Sequence, residues 1–373
     1  MSGALDGVRV LEIANYVAGP YAGMMLADLG AEVIKIEQPG VGDPFRDWGD
    51  GRYSPTFEAL NRNKKSIELN LKSDEGHQNC IQLLANTDVL IENFRPGVLR
   101  ALNLDYPSLG NDYTKLIYCS ITGFGASGPY SDRPGYDTIG QGMGGLLSLM
   151  TDTDAPNPVG YSFSDHIAGM TACQGILGAL FSRERTGQGQ LVETSLLQAT
   201  VSLTGENAAR YFYDGKIPDR EERTHLAQVF AFLDCDKRPF VIHLSSPTKF
   251  WEGLLRAVEQ LDLAEDPRFS SRRDRMTNYD ALKEILAETF KTGNRNDWLD
   301  KLQSNDVPAG PLNTLSEVFD DPQVKHLGMQ RTIEHPTEGE ISLVAGGYKL
   351  NTTPLTIRSP APTLGQHNKE FLD

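Results

Sequence analysis

A chain of 373 residues, 39% hydrophobic and 23% charged, has room for two domains or one large domain with an insertion, and its balance is that of an ordinary soluble globular protein. The formal net charge is −15, and the one short basic stretch is Arg62-Asn63-Lys64-Lys65, which argues against a nucleic-acid-binding face. Four scattered cysteines (Cys80, Cys119, Cys173, Cys235) and seven histidines without an HExxH pattern give no metal spacing and no disulfide framework, so no metal is expected.

Val8–Ile13 alternates and predicts a strand. Gly19-Pro20 opens a helix through Met24, Met25, Leu26 and Leu29, ended by Gly30, and Glu32–Glu37 predicts a second strand stopped by Pro39-Gly40. This βαβ unit sets the fold class: α/β, with a Rossmann-like parallel sheet in a large domain. A helix over 75–86 and strands at Asp88–Glu92 and Leu116–Ile121 continue the pattern. Residues 123–145 are rich in glycine and hold few strand formers. A strongly helical stretch covers 165–183, Gly187-Gln188-Gly189 breaks it, Gln190–Thr194 returns as a strand, and a long helix runs from about 195 to 213. The polar segment 214–224 reads as a linker, after which the texture changes: a strand at 239–244 and helices near 247–259, 278–291 and 294–304 predict a smaller α+β domain over 225–330. Pro308, Pro311 and the polar run 332–340 mark a further boundary, and 331–373 is expected to return to the large domain, which spans 1–213. The opening Met1–Gly7 lacks the basic-then-apolar order of a secretory signal, and no apolar run reaches the roughly 18–20 residues that span a bilayer; the location predicted is cytoplasmic.

Several segments, in order along the chain, together carry a resemblance. They are Leu5–Glu12 with Ala18-Gly19-Pro20; Leu29–Glu37 with Gly42-Asp43 and Arg46; Asn61–Ile67; Glu92-Asn93-Phe94-Arg95-Pro96-Gly97; Arg133-Pro134-Gly135-Tyr136-Asp137; and Thr186–Gln190. Val307–Pro311, Asp321–Val324 and Leu364-Gly365-Gln366-His367 complete the set. The ordered set resembles the family III CoA transferases, the group that includes formyl-CoA transferase and the carnitine-pathway CoA transferase. The resemblance implies a Rossmann-like large domain joined to a small domain and an interlocked homodimer, with the active site where the two domains meet. It also implies transfer of coenzyme A from an acyl-CoA donor to a carboxylic acid acceptor. Coenzyme A and acyl-CoA enter as substrates, and no permanently bound cofactor is implied.

By the same resemblance the nucleophile is Asp165, in Ser162-Phe163-Ser164-Asp165-His166. An aspartate opening a helix is by itself an ordinary cap. The helix N-terminus also favours a carboxylate anion, so Asp165 is expected to stay ionised at neutral pH. A carboxylate attacks a thioester without a base to remove a proton. The implied course is an aspartyl anhydride, then an aspartyl-CoA thioester. The family pattern assigns coenzyme A contacts to Lys72, Asn93, Phe94, Arg95, Gly135, Tyr136 and Asp137. Arg100 takes the place of an arginine one position later in many relatives, where this chain has Ala101. Val17 and Arg46 are substrate-pocket candidates, Arg46 as the anchor of an acceptor carboxylate. The family's glycine-rich small-domain loop aligns with His243-Leu244-Ser245-Ser246-Pro247, which has no glycine, so Ser245 and Ser246 are expected to supply part of the oxyanion site. Lys64 and Lys65 read as solvated, and Glu37 as a solvated strand-end carboxylate.

Two signals are set aside. Gly140-Gln141-Gly142-Met143-Gly144-Gly145 matches G-x-G-x-x-G but follows a loop rather than a strand, outside the context in which that motif binds dinucleotides. His166 neighbours Asp165 in sequence, but adjacent residues at a helix start point apart, so it is not expected to act as a base. The alternative on the same fold is an α-methylacyl-CoA racemase, which moves the α-proton with a His/Asp pair; Tyr136 stands where that histidine belongs, and a phenol with a reference pKa near 10 is a poor base at neutral pH. A nicotinamide oxidoreductase and a non-catalytic acyl-CoA binder are the remaining rivals.

Overall fold

The computed structural model of the chain describes residues 3–49 and 54–372. Met1, Ser2 and Asp373, at the outer ends of the predicted first and last segments, lie outside the described residues. The chain forms two compact units, one built from residues up to Asp214 together with Lys325 onward, the other from Gly215–Val324.

The first unit is a parallel α/β sheet. Its elements run β1 (Arg9–Ile13), α1 (Ala18–Asp28), β2 (Glu32–Glu37), α2 (Pro55–Asn61), β3 (Lys64–Glu68), α3 (Asp74–Leu84), β4 (Val89–Glu92), α4 (Tyr106–Leu109), β5 (Ile117–Thr122), α5 (Asp137–Met143), α6 (Phe163–Thr186), β6 (Leu191–Ser195), α7 (Leu196–Leu203) and α8 (Gly205–Asp214). The six strands pair in the order β3-β2-β1-β4-β5-β6, all parallel. Sheet growth therefore reverses between β1 and β4, and the crevice above their carboxyl ends is where such sheets bind ligands.

The central strands are apolar on both faces, as a sheet covered by helices on both sides requires. Val10, Val33, Val89, Ile91, Ile117 and Cys119 pack towards α1 and α6, whereas Leu11, Ile13, Ile34, Ile36, Leu90 and Tyr118 pack with residues of α3. Short polar side chains start the helices: Ser54, Ser73 and Ser195 each accept an N–H at the N-terminus of α2, α3 and α7. Gly187, in the left-handed region at φ 70°, ends α6.

Beneath the carboxyl ends of β1 and β2 lies an ionic cluster. Glu12, Lys35 and Asp43 are wholly buried and Lys64 nearly so. Lys35 Nζ reaches Glu12 Oε1 at 3.0 Å and Asp43 Oδ2 at 2.9 Å, and Lys64 Nζ reaches Glu12 Oε2 at 2.8 Å. Gly23 of α1 makes the room, since a Cβ there would stand 2.0 Å from Glu12 Oε2. The expectation of a solvated Lys64 is thereby overturned. Glu37 is also buried, bonded by Arg46 and Ser66, where a solvated carboxylate was expected. Lys65 pairs with Glu32 and Glu370 at the edge of the sheet.

The second unit holds α9 (Glu222–Ala227), an antiparallel sheet of β7 (Val229–Leu233), β8 (Pro239–His243) and β9 (Ala309–Pro311), and the helices α10 (Thr248–Ala257), α11 (Arg272–Thr277), α12 (Tyr279–Phe290), α13 (Arg295–Ser304) and α14 (Leu315–Asp320). Aromatic rings fill its core: Phe230, Phe232, Phe240, Tyr279, Phe290 and Trp298. Capping boxes at Ser271 and Thr314 start α11 and α14. After α15 (Pro322–Leu327), the polar run near 332–340 folds as a hairpin of β10 (Gln330–His335) and β11 (Gly339–Val344). The tail then runs along the first unit. Asn63 N–H donates to Ser359 O, Arg358 N–H to Asn63 Oδ1, and the tail closes with α16 (Asn368–Phe371) near β3. The predicted helix over 195–213 is two helices, separated at Thr204. Among the described residues no helix is long and apolar enough to cross a membrane.

Candidate active site

Three loops converge at the crevice between β1 and β4. Tyr16, Val17 and Ala18 follow β1; Asn93, Phe94, Arg95 and Pro96 follow β4; Ile121 and Thr122 end β5 and Gly123 follows it. With Ser131, Arg133, Gly135, Tyr136, Asp165 and Leu196 they enclose a cleft of about 200 Å³. No His or Lys is among these lining residues.

Asp165 is the third residue of α6, in its first turn, while Ser162 occupies the N-cap. The carboxylate is thus placed where the helix terminus favours an anion. Its surroundings oppose that preference. Burial, and after it the negative charge of Asp137, push the Asp165 carboxyl up to about 7. The expectation of a carboxylate kept firmly ionised by the helix N-terminus is therefore corrected: desolvation outweighs the helix terminus here. Asp137, at the start of α5, accepts the Asp165 backbone N–H at 3.2 Å through Oδ1, and its Oδ2 accepts from Gln141 Nε2 at 2.5 Å. Gln141, fully buried, also donates to Tyr161 O at 2.9 Å. Asp137 does not line the cleft; it holds the turn that carries Asp165.

His166 is occupied elsewhere. Its Nδ1 pairs with Ser162 O at 2.8 Å, and its ring lies between Tyr21 and Tyr161, each centroid 4.9 Å away.

Asn93 lines the cleft while its amide clamps the β1 loop: Asn15 N–H donates to Asn93 Oδ1 at 2.9 Å, and Asn93 Nδ2 donates to Asn15 O at 2.7 Å. Phe94 is shared with a second cavity of about 370 Å³ on the same unit. Lys72 lines that second cavity together with apolar side chains that include Val41, Leu69, Leu71, Val98 and Leu102. Arg95 and Arg133 are the two cations that line the first cleft, and the Arg133 guanidinium stacks on Tyr130 at 3.9 Å.

Other candidates lie elsewhere. Arg46 is bound to Glu37 through two hydrogen bonds of 2.8 and 2.6 Å, donates to Pro362 O and stacks on Phe57. Its Nε and Nη2 are thus taken by Glu37 and the Pro362 carbonyl. Arg100 turns to Asp105 at 3.1 Å and lines neither cavity. Val17 is buried at the start of α1 and lines the cleft. Ser245 and Ser246 belong to the second unit; Ser245 has φ 53° and its N–H donates to Ala227 O. Among the described residues, no cluster of His, Cys, Asp and Glu has the makings of a metal site.

A model of the family described as CoA-transferase family III matches residues 5–368. The chain belongs to CoA-transferase family III. The human succinyl-CoA:glutarate CoA-transferase is 34% identical over 99% of this chain and 85% of its own length. The succinyl-CoA–D-citramalate CoA-transferase of Chloroflexus aurantiacus is 35% identical over 98% of this chain and 92% of its own. Among solved structures, a CaiB/BaiF family protein from Brucella suis superposes with a TM-score of 0.88 at 36% identity, covering 99% of this chain and 98% of that one. The chain is accordingly a CoA-transferase by family, and the six-stranded parallel sheet is shared with that structural relative. A racemase is not favoured, and Tyr136 in the place of a histidine agrees with that.

The sequence motifs do not point to Tyr16, Thr122, Ser131 or Leu196 as cleft residues, and Tyr16 is the bulkiest of these. Its signal was faint: Ala14-Asn15-Tyr16-Val17 between a strand and a helix start has no glycine to announce a left-handed turn.

Proposed function

We propose that the protein transfers coenzyme A from a dicarboxylyl-CoA, succinyl-CoA foremost, to a dicarboxylic acid acceptor through covalent intermediates on Asp165. The observation that supports this most strongly is a carboxylate in a helix's first turn, lining the switch-point cleft, with no His or Lys among the residues that line it. An Asp165 carboxylate oxygen adds to the thioester carbonyl, and the carbon–sulfur bond breaks to leave an aspartyl anhydride and the CoA thiolate. The thiolate then attacks the aspartyl carbonyl, releasing the donor's carboxylate and leaving an aspartyl-CoA thioester. The acceptor carboxylate reverses both steps. Each step is an attack by an anion, so no proton has to be removed. A carboxyl held near 7 is about half ionised at neutral pH, and the carboxylate formed is more basic than an ordinary one.

On this reading coenzyme A lies with its nucleotide in the cavity bearing Lys72 and its thiol arm past Phe94 towards Asp165. Arg95 meets a phosphate, and Arg133 meets the second carboxylate of the dicarboxylic partner. The relatives named for glutarate, D-citramalate and mesaconate support a dicarboxylate partner. We place the enzyme in the cytoplasm as a homodimer. The exposed apolar side chains of α6 to α8, Phe181, Phe212 and Tyr213, support a second copy covering them.

The test is a panel of mono- and dicarboxylic acids with succinyl-CoA, with products read by mass spectrometry in heavy water. New acyl-CoA thioesters of dicarboxylic acids, without α-deuterium, are expected. Turnover-rate α-deuterium incorporation in the absence of any acceptor contradicts the proposal and points to an isomerase.

A further inference from the structure

We propose that Tyr16 is a catalytic residue of this cleft, its phenol donating a hydrogen bond to the acyl oxygen that becomes negative as Asp165 attacks. The proposal rests on the Asp165 reading and adds to it a donor that no family position assigns.

Tyr16 has φ 66°. Among the described residues it is the one aromatic side chain in the left-handed region, which bulky residues enter only when their surroundings force it. Glycine or asparagine would take this turn with little strain.

The forcing groups are identifiable. Lys35 Nζ donates to Ala14 O at 2.5 Å. Asn93 clamps both backbone groups of Asn15, at 2.9 and 2.7 Å. Tyr16 N–H donates to Asp43 Oδ1 at 3.3 Å, and Asp43 is itself held by Lys35 at 2.9 Å. Three successive residues are fixed by side chains from β2, from the loop after it and from the loop after β4. Lys35 and Asp43 are wholly buried. Costly buried charges thus converge on the backbone of one short loop, and that loop carries a tyrosine into the cleft lined by Asp165.

The ring has aromatic neighbours on two sides. It meets Phe45 edge-on at 5.5 Å and Tyr136 edge-on at 6.0 Å. Tyr136 directly precedes Asp137, whose carboxylate carries the Asp165 N–H, so the tyrosine pair and the nucleophile share one turn of structure. Burial, followed by the charge of the Tyr136 phenol, a hydrogen bond with it and the charge of Asp43, pushes the Tyr16 hydroxyl above the ordinary tyrosine range, so the Tyr16 O–H turns from Tyr136 to the acyl oxygen as negative charge develops there. It is therefore a neutral donor throughout the pH range in which Asp165 ionises.

The chemistry asks for such a group. When the Asp165 oxygen bonds to the thioester carbon, the carbonyl π pair moves onto oxygen. An O–H turned to that oxygen stabilises the charge with little reorganisation. The phenol keeps its proton. As the pair returns, the carbon–sulfur bond breaks and the thiolate departs. A strained, anchored loop sets the hydroxyl oxygen with little freedom, as preorganised catalysis requires.

The experiment compares the full-length protein with Tyr16→Phe in succinyl-CoA turnover with a dicarboxylic acid. It reads kcat, KM, CoA affinity by calorimetry, the melting temperature, and the fraction of Asp165 carrying an acyl or CoA adduct after acid quench. Tyr16→Phe is expected to lower kcat about a hundred- to a thousandfold and slow adduct formation equally, with KM, CoA affinity and melting unchanged. Tyr16→Gly, which relieves the backbone strain but removes the hydroxyl together with the ring's packing on Phe45, should be at least as slow as Tyr16→Phe. A Tyr16→Phe enzyme within twofold of the parent kcat overturns the proposal. So does a loss of kcat matched by a loss of CoA affinity and melting temperature, which assigns Tyr16 to packing. A parent that never carries an Asp165 adduct sinks the underlying nucleophile reading. An adduct that forms at the parent's rate in Tyr16→Phe sinks this inference alone.

Discussion

Replacing Asp137 by Asn isolates one of the two causes that raise the Asp165 carboxyl. The substitution keeps size and shape and leaves an amide oxygen to accept the Asp165 N–H, so the turn at the start of α6 is preserved. What is removed is a negative charge and, with it, the oxygen that accepts from Gln141 Nε2, so Gln141→Glu serves as the control that breaks the same hydrogen bond without removing the Asp137 charge. Asp165 stands at about 7 against an ordinary value of 3.8, with burial the larger cause and Asp137 the second. The share due to Asp137 is therefore less than half of the rise, roughly one pH unit, as expected for a neighbouring like charge in a partly solvated site. The active form is the carboxylate, so activity rises with pH through this value. In the parent about a tenth of Asp165 is ionised at pH 6; with the value lowered to about 6, roughly half is. The assay is kcat/KM for succinyl-CoA between pH 5.5 and 9. The acid limb of the parent is expected near 7 and that of Asp137→Asn near 6, so the variant at pH 6 retains about five times more of its own plateau activity than the parent does. An acid limb that stays in place, or moves to higher pH, refutes the assignment of that limb to Asp165 beside Asp137.

Two further outcomes follow from the same geometry. Lys64→Met leaves Glu12 buried with one of its two cations missing, and is expected to destabilise the fold by about 3–5 kcal/mol in urea unfolding; Glu12→Gln added to it should restore part of the loss, and a Lys64→Met protein as stable as the parent contradicts the cluster's role. Arg133→Gln should raise KM for dicarboxylic acceptors at least tenfold while leaving monocarboxylic acids unaffected, an equal effect on both classes ruling out a specific partner for the second carboxylate.

The sequence exposes the parallel sheet because its strands are apolar runs bounded by Gly and Pro, as at Glu32–Glu37 before Pro39-Gly40. β3 escapes notice because Lys64-Lys65-Ser66-Ile67-Glu68 holds a single apolar residue. It is buried through an ion pair, and charge pairing across the chain leaves no periodic trace. The same blindness explains Glu37 and Arg46: each reads as a solvated or available charge, and the structure spends each on the other. The break at Thr204 is missed because apolar spacing runs past it, with Gly205 the only cue. Around the site, Asp165, Phe94, Arg95 and Tyr136 are legible as members of motifs that the structure brings to one cleft. Its depth is not legible, because desolvation of a carboxylate depends on what packs over it. Nor is the strain at Tyr16, which side chains from Lys35, Asp43 and Asn93 impose from distant positions.

The most direct measurement uses the full-length enzyme turning over succinyl-CoA, quenched with borohydride or hydroxylamine and digested for peptide mass spectrometry. Reductive or hydroxamate modification confined to residue 165, together with loss of exchange in Asp165→Asn, is the expected result. An unmodified Asp165 during turnover, with Asp165→Asn exchanging thioesters at the parent's rate, contradicts the account.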